Sequence, residues 1–265
     1  MRALIGFVRL FFYLLACVLF IPVQWLVLRI TSGPASFIIP LWIHRYNCRL
    51  FNIRVTVRGA PAASEHIVFV GNHLSYLDIE AIGSVLEGSF IAKEDVARWP
   101  LFGTLARLQQ TLFISRDPRR AEAGKTAFAQ ALAKPRPLIL FAEGTSSNGA
   151  AVLPFKSTLF GIFFAEELPR RPVVQPFTLV LTGVDGQAVT PDNTALRDRY
   201  AYYGDTVLGP HLWEFAKGRG AELTLVFHPP LDLIHYDERK SLSVAAQSAC
   251  ASGLAFAKQN QRHNA

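Results

Sequence analysis

Ile67-Val68-Phe69-Val70-Gly71-Asn72-His73-Leu74-Ser75-Tyr76-Leu77-Asp78 decides the reading of this chain. Four consecutive apolar residues, β-branched or aromatic, predict a strand buried on both faces, the signature of a parallel sheet. A glycine then opens a loop at the strand's carboxyl end, where α/β folds keep their functional residues. His73 and Asp78 are five residues apart. On one regular helix that separation turns them about 140° away from each other. They meet only if His73 stays in the loop and Asp78 lies in the first turn of the next helix, an arrangement that Ser75 as N-cap would produce. Asp78 would then hold the imidazole in one tautomer, leaving the other nitrogen to take a proton from a hydroxyl. Ser75-x-x-Asp78 is also close to a plain capping box, so the motif by itself leaves a structural reading open.

The pattern repeats downstream. Leu138-Ile139-Leu140-Phe141 is a second apolar run, followed by Ala142-Glu143-Gly144-Thr145-Ser146-Ser147-Asn148-Gly149 and then Leu153-Pro154-Phe155-Lys156. Small residues after a strand let a ligand approach the backbone, and hydroxyls can bind polar oxygens. A nucleophile elbow needs G-x-S-x-G, and Asn148 stands where the second glycine belongs, which disfavours a serine hydrolase. Further strands are predicted at Ile53–Val57, Ser89–Ala92, Thr111–Ser115, Val173–Leu181 and Glu222–Phe227. Helices are predicted at Tyr76–Leu86, Leu101–Leu108, Pro118–Ala133, Ser157–Glu167, His211–Lys217 and Ser241–Lys258, with Asp117-Pro118 starting the third. The expected fold class is α/β: a mixed, largely parallel sheet flanked by helices, preceded by an N-terminal membrane-associated helical hairpin.

That hairpin follows from hydropathy. Leu10 to Leu28 carries no charge, just long enough to cross a hydrocarbon core of about 30 Å, with Pro22 expected to kink it. Thr31-Ser32-Gly33-Pro34 is a turn, and Ala35 to Leu50 is a second apolar stretch with Trp42, Arg45 and Arg49 suited to headgroup level. No small-residue cleavage site follows the run, and the apolar run continues well past Leu14-Leu15-Ala16-Cys17, so neither a signal peptide nor a lipoprotein leader is expected. The expected organisation is residues 1–58 as membrane anchor and 59–265 as one α/β domain.

Over 265 residues, 51% are apolar and 18% charged, which excludes a disordered chain. The formal net charge of +7 resides in the first 60 residues, which contain seven arginines and no acidic residue. A basic, apolar segment on a neutral body fits an anionic bilayer and no nucleic acid. Three scattered cysteines, Cys17, Cys48 and Cys250, give neither a disulfide framework nor a metal site. His44, His66, His211, His228, His235 and His263 have no partner at a telling spacing and read as structural or surface residues.

Taken together, the motifs resemble the glycerolipid acyltransferases typified by lysophosphatidic acid acyltransferase. The residues are Asn72-His73 with Asp78, Thr111 to Arg116 as a strand ending in arginine, Glu143-Gly144-Thr145-Ser146-Ser147, and Val173-Val174-Gln175-Pro176. Lys93-Glu94, Pro100, Gly103 and Phe155-Lys156 match between them, so the likeness spans about residues 65–185. The resemblance implies direct O-acyl transfer from an acyl-ACP or acyl-CoA co-substrate, without cofactor or metal. His73 would be the general base, oriented by Asp78. Arg116, Glu143, Gly144, Thr145 and Ser146 would hold the acceptor, with Lys93 and Lys156 as further contacts. Partners would be a lyso-lipid acceptor, acyl carrier protein or a coenzyme A thioester, and the bilayer. Arg119-Arg120 and Arg170-Arg171 are candidates for meeting an acidic carrier protein. The expected location is a bacterial inner membrane, with the catalytic domain on the cytoplasmic face.

One position departs from the pattern. Lysophosphatidic acid enzymes have Arg after E-G-T, and this chain has Ser146, which supplies no charge to a phosphate. The form E-G-T-S-S-x-G with Val-Leu-Pro-Phe-Lys, then Tyr202-Tyr203-Gly204-Asp205 and Gly209 to Trp213, is similar to the lyso-ornithine lipid O-acyltransferase branch. There the acceptor is the 3-hydroxyl of an amide-linked fatty acid on ornithine. Lysophosphatidic acid remains the alternative acceptor, and a non-catalytic lipid-binding protein is the reading from another class.

Overall fold

Ile67 and Phe69 point to one side of their strand and Val68 and Val70 to the other, and all four are buried. A strand this apolar on both faces needs a layer of helices above and below. The computed structural model describes residues 1–64, 66–115, 119, 121–134, 136–165, 168, 171–190 and 193–263, with side chains placed for all of these except 121–123 and 260–263. Arg116, Arg120, Arg170 and the Asp117-Pro118 helix start lie outside the described residues.

The strands are β1 (Ile53–Arg58), β2 (Ile67–Gly71), β3 (Ser89–Lys93), β4 (Leu112–Ile114), β5 (Leu138–Phe141), β6 (Val173–Val184), β7 (Gln187–Ala188) and β8 (Ala221–Phe227). They form one sheet in the order β1-β8-β6-β2-β5-β3-β4, with β7 paired to β6. β2 is parallel to both neighbours, β5 and β6, and β3 is parallel to β5 and β4. β8 runs antiparallel to β6 and parallel to β1, so the sheet is mixed but largely parallel. β1 lies before the expected boundary at residue 58 yet pairs with β8, so the sheet takes in residues on both sides of it.

The helices are α1 (Arg2–Ile30), α2 (Ile38–Phe51), α3 (Asp78–Gly83), α4 (Phe102–Leu108), α5 (Ala121–Leu132), α6 (Ser157–Phe160), α7 (Thr194–Arg197), α8 (Leu208–Lys217) and α9 (Arg239–His263). The expected helix over Ser157–Glu167 is broken: α6 ends at Phe160 and a 3₁₀ turn, Gly161–Phe164, takes over. One core layer gathers Phe69, Phe90, Phe177 and Leu225 with Phe51 of α2 and Phe215 of α8. The other sets Val68, Val70 and Leu140 against Phe128 of α5, Phe160 of α6 and Leu242 of α9.

α1 runs unbroken through Pro22, and by length and composition it is the one described helix able to cross a membrane. Gly6, Tyr13, Cys17, Phe20 and Gln24 form its buried stripe. Near one end Arg9 donates to the carbonyls of Ala216 and Gly218, and near the other Gln24 donates to those of Ser36 and Leu108. The opposite face exposes Leu4, Phe7, Phe11, Val18, Leu19 and Trp25. One side is therefore fixed to the body along its length, and the other presents a continuous apolar surface.

Candidate active site

The carboxyl ends of β2 and β5 lie side by side, because Gly71 pairs with Phe141 in a parallel ladder. Gly71 has no room for a side chain: a Cβ there would fall 2.4 Å from the Phe177 ring. The chain leaves β2 through Asn72, whose amide donates to Leu179 O at 2.9 Å and accepts from Leu179 N at 2.8 Å, fastening the loop to β6. His73 follows.

Nδ1 of His73 lies 2.8 Å from Oδ2 of Asp78. That same oxygen accepts the backbone N–H of Leu74 at 2.6 Å and of Ser75 at 3.0 Å. The other oxygen, Oδ1, accepts the Tyr200 hydroxyl at 2.9 Å. Asp78 is fully buried, and these four donors offset the cost of removing a carboxylate from water. The expectation that His73 sits in the loop and Asp78 in the first helical turn holds, but the helix start differs. α3 begins at Asp78 with Leu77 at the N-cap, so Ser75 is not the cap. Its hydroxyl instead accepts from Leu77 N in a local turn, because Asp78 itself reaches back to the loop amides.

The His73 side chain is 21% exposed. Its ring stacks on Phe141, with centroids 3.9 Å apart and planes 15° apart. Nδ1 is committed to Asp78, which leaves Nε2 as the ring's other nitrogen. Nδ1 is assigned as the donor because only the carboxylate faces it.

Glu143 closes the same corner from β5. Its Oε2 accepts His73 N at 3.1 Å and its Oε1 accepts Leu153 N at 2.8 Å. Burial pushes its carboxyl up to about 7, against the two backbone donors that favour the charged form. Gly144 follows at φ +67°, and a Cβ on it would meet the Lys156 side chain at 3.2 Å. Lys156 N in turn donates to Ala142 O, which brings the downstream Phe155-Lys156 back under the loop. Thr145 is exposed. The Ser146 hydroxyl donates to the Tyr202 carbonyl, and Tyr202 N donates to Leu74 O at 2.9 Å. The loop after β5, the segment around Tyr202 and the His73 loop are thus one hydrogen-bonded unit.

His73, Asp78, Glu143, Gly144, Ser146 and Lys156 therefore converge. Lys93 ends β3 at the same edge of the sheet, one strand beyond β5. Arg116 lies outside the described residues. Two contributors were missed from the sequence. Tyr200 lies 122 residues from Asp78, two residues before the Tyr202-to-Asp205 motif and outside it, and Arg197 is buried with Nη1 on Gly149 O at 3.2 Å, pinning the end of the β5 loop. Four of the other histidines, read from the sequence as structural or surface residues, tie distant elements together. His44 bonds Glu80 and Gln109, His66 bonds the Leu132 carbonyl, His211 bonds Tyr76, and His228 bonds Thr178, in each case across elements far apart in the chain.

A family model described as Acyltransferase matches residues 53–179, which take in both loops. The chain is 34% identical to a lyso-ornithine lipid O-acyltransferase of Brucella abortus, over 91% of each chain. It is 35% identical to the enzyme of the same description from Rhodobacter capsulatus, over 77% of this chain and 71% of that one. Among solved structures, an LPA acyltransferase, PlsC, from Thermotoga maritima superposes with a TM-score of 0.69 at 17% identity, covering 97% of this chain and 98% of the other.

Proposed function

The chain belongs to the acyltransferase family and is an enzyme acylating lyso-lipids, and within that family we propose that it moves a fatty acyl group from a thioester to the 3-hydroxyl of lyso-ornithine lipid, giving ornithine lipid. The observation that carries the chemistry is His73 Nδ1 at 2.8 Å from a carboxylate that three further donors hold in place. In the step that follows, Nε2 of His73 accepts the proton of the acceptor hydroxyl. The alkoxide oxygen forms a bond to the thioester carbonyl carbon, the carbon–sulfur bond breaks, and the proton passes to the departing thiolate. Base catalysis of this kind supplies about 10²–10⁴-fold, so much of the rate comes from positioning the two lipids.

Glu143, Gly144, Thr145 and Ser146 are proposed to line the acceptor headgroup, with Lys93, Arg116 and Lys156 as cationic contacts. Ornithine lipid is favoured over phosphatidic acid as product by the relatives with that description and by Ser146. Where a guanidinium would grip a phosphate, its hydroxyl is turned to Tyr202. The hairpin is proposed to lie in one leaflet of a bacterial inner membrane, with the sheet on the cytoplasmic side. A helix bonded to its own globular body at both Arg9 and Gln24 cannot also pass through the bilayer away from it.

Purified protein, supplied with one acyl-ACP and either lyso-ornithine lipid or lysophosphatidic acid, tests the assignment. Faster turnover of lyso-ornithine lipid is expected. Preference for lysophosphatidic acid would replace it with the phosphatidic acid reading.

A further inference from the structure

Between the hairpin and the body lies a cavity of about 180 Å³. Its walls are largely hydrocarbon and ring: Cys17 and Phe20 of α1, Phe51 of α2, Phe90 of β3, Trp99 and Leu105. Phe90 connects it to the site, since its ring stacks with Phe141 at 6.2 Å and Phe141 stacks on His73. A chain of CH₂ groups suits such walls.

One patch of the wall does not match that occupant. His44, Asn47, Glu80 and Gln109 line the same cavity and are bonded to each other. Oε2 of Glu80 takes both His44 Nδ1 at 2.8 Å and the Asn47 amide at 3.1 Å. That second bond fixes the amide's orientation, because only its nitrogen can donate to a carboxylate. Asn47 Oδ1 is then left buried with no hydrogen-bond partner, on a residue that is 4% exposed. One buried acceptor thus stands without a donor in the wall of an apolar cavity, a costly arrangement unless something supplies one.

The donor required is neutral. Both ring nitrogens of His44 face acceptors, Nδ1 the Glu80 carboxylate and Nε2 the Gln109 Oε1, whose amide nitrogen is committed to Gly88 O. The ring therefore donates twice and its charge balances the carboxylate; burial works against that charge, and the carboxylate more than reverses it. An ammonium group would bring an unmatched charge into the pair, whereas an alcohol brings a proton donor and nothing else.

We propose that the His44–Glu80–Asn47 cluster is a specificity site that reads a hydroxyl group carried on the lipid chain bound in this cavity. The proposal rests on the lyso-lipid acyl-transfer reading above, which puts a chain there. It assigns α2 a part in substrate choice beyond attachment to the bilayer. The hydroxyl could belong to the donor's chain or to the acceptor's, distinct from the one that reacts.

Full-length protein is assayed in vesicles with 16-carbon acyl donors, unsubstituted or hydroxylated at successive carbons, and then with acceptors whose chain carries the extra hydroxyl. We expect one position, in one of the two arms, to raise kcat/KM about tenfold over the unsubstituted chain, the worth of a single net hydrogen bond. In Asn47→Leu that ratio should fall to near one. A ratio near one at every position in both arms, or an unchanged ratio in the variant, overturns the proposal. The wild-type profile alone decides if the variant does not fold. Thermal shift by free hydroxylated and plain 16-carbon fatty acids needs no turnover. If the wild type transfers to neither lyso-lipid, the acyl-transfer reading fails, and the binding preference still decides for or against the hydroxyl site.

Discussion

Asp78 and Tyr200 stand 122 residues apart in the chain and meet at 2.9 Å, phenol hydroxyl to Oδ1, with both residues fully buried. Burial, reinforced by the Asp78 carboxylate, raises the tyrosine pKa well above its ordinary value, so the phenol is a permanent donor. It fixes the oxygen that His73 does not use, and through it the carboxylate plane and the imidazole. Tyr200→Phe removes that donor and leaves the ring. The expected loss is about 1.5–3 kcal/mol of stability, as for hydrogen bonds to charged groups. In assays kcat should fall while KM for the acceptor holds, since Tyr200 touches Asp78 and not the lipid. A rise in KM alongside the fall in kcat would point to a contact with substrate instead.

His73→Ala tests the base itself. Acyl transfer is expected to drop by about 10²–10⁴-fold, while vesicle binding stays at the wild-type level, because α1 and α2 are untouched. Transfer at near wild-type rate in this variant would end the assignment of His73 as base and favour another proton acceptor at the site.

Much of this site was legible in sequence because it is local. The apolar run Ile67 to Val70 and its twin Leu138 to Phe141 need burial on both faces, which only a central parallel strand provides. His73 and Asp78 are five residues apart, close enough for loop geometry to decide whether they meet. What could not be read is what crosses the chain. Tyr200 reaches Asp78 from beyond β7, and Phe141 stacks under His73 because β2 and β5 pair in one register. The start of α3 was misplaced for a local reason. Ser75 is a better cap by residue type, but Asp78 collects the loop amides itself, so the turn before it is held from inside the helix.

Ser146→Arg probes the headgroup. The serine hydroxyl now donates to the Tyr202 carbonyl, and an arginine must give up that bond and project toward the acceptor. The ratio of lysophosphatidic acid to lyso-ornithine lipid turnover is expected to rise roughly tenfold, the worth of one charge-assisted hydrogen bond. Absolute turnover of lyso-ornithine lipid should fall, since the tie between the two loops is lost. An unchanged ratio removes Ser146 from headgroup selection.

Glu143 predicts a pH signature. Its carboxyl titrates at about 7 in the folded chain, against 4.5 ordinarily, chiefly through burial. The unfolded chain releases this proton first, so the group's stabilising contribution is complete below pH 4.5 and is lost as pH rises through about 7. The loss is of the order of 3 kcal/mol at most. Glu143→Gln keeps one carbonyl acceptor for His73 N or Leu153 N and carries no proton to lose. Subtracting its unfolding free energy from that of the wild type, measured from pH 4 to 8, should leave a difference that declines across this window. A flat difference would mean that Glu143 titrates at an ordinary carboxyl pH.

The exposed face of α1 predicts how the protein is attached. Val18 is 65% exposed, near the middle of the helix, on the side away from Tyr13 and Cys17. If that face lies among acyl chains, a carboxylate there has no water and no partner. Val18→Glu should weaken binding to anionic vesicles by at least tenfold, the equivalent of 1.4 kcal/mol and well within the cost of a charge in hydrocarbon. Its melting temperature in detergent should stay near the wild-type value, because an exposed helical position contributes little to folding. Flotation of wild type and variant with the same vesicles measures the first quantity. Equal flotation would mean that α1 faces water on this side, and the attachment would then fall to Trp42, Ile38 and the arginines of α2.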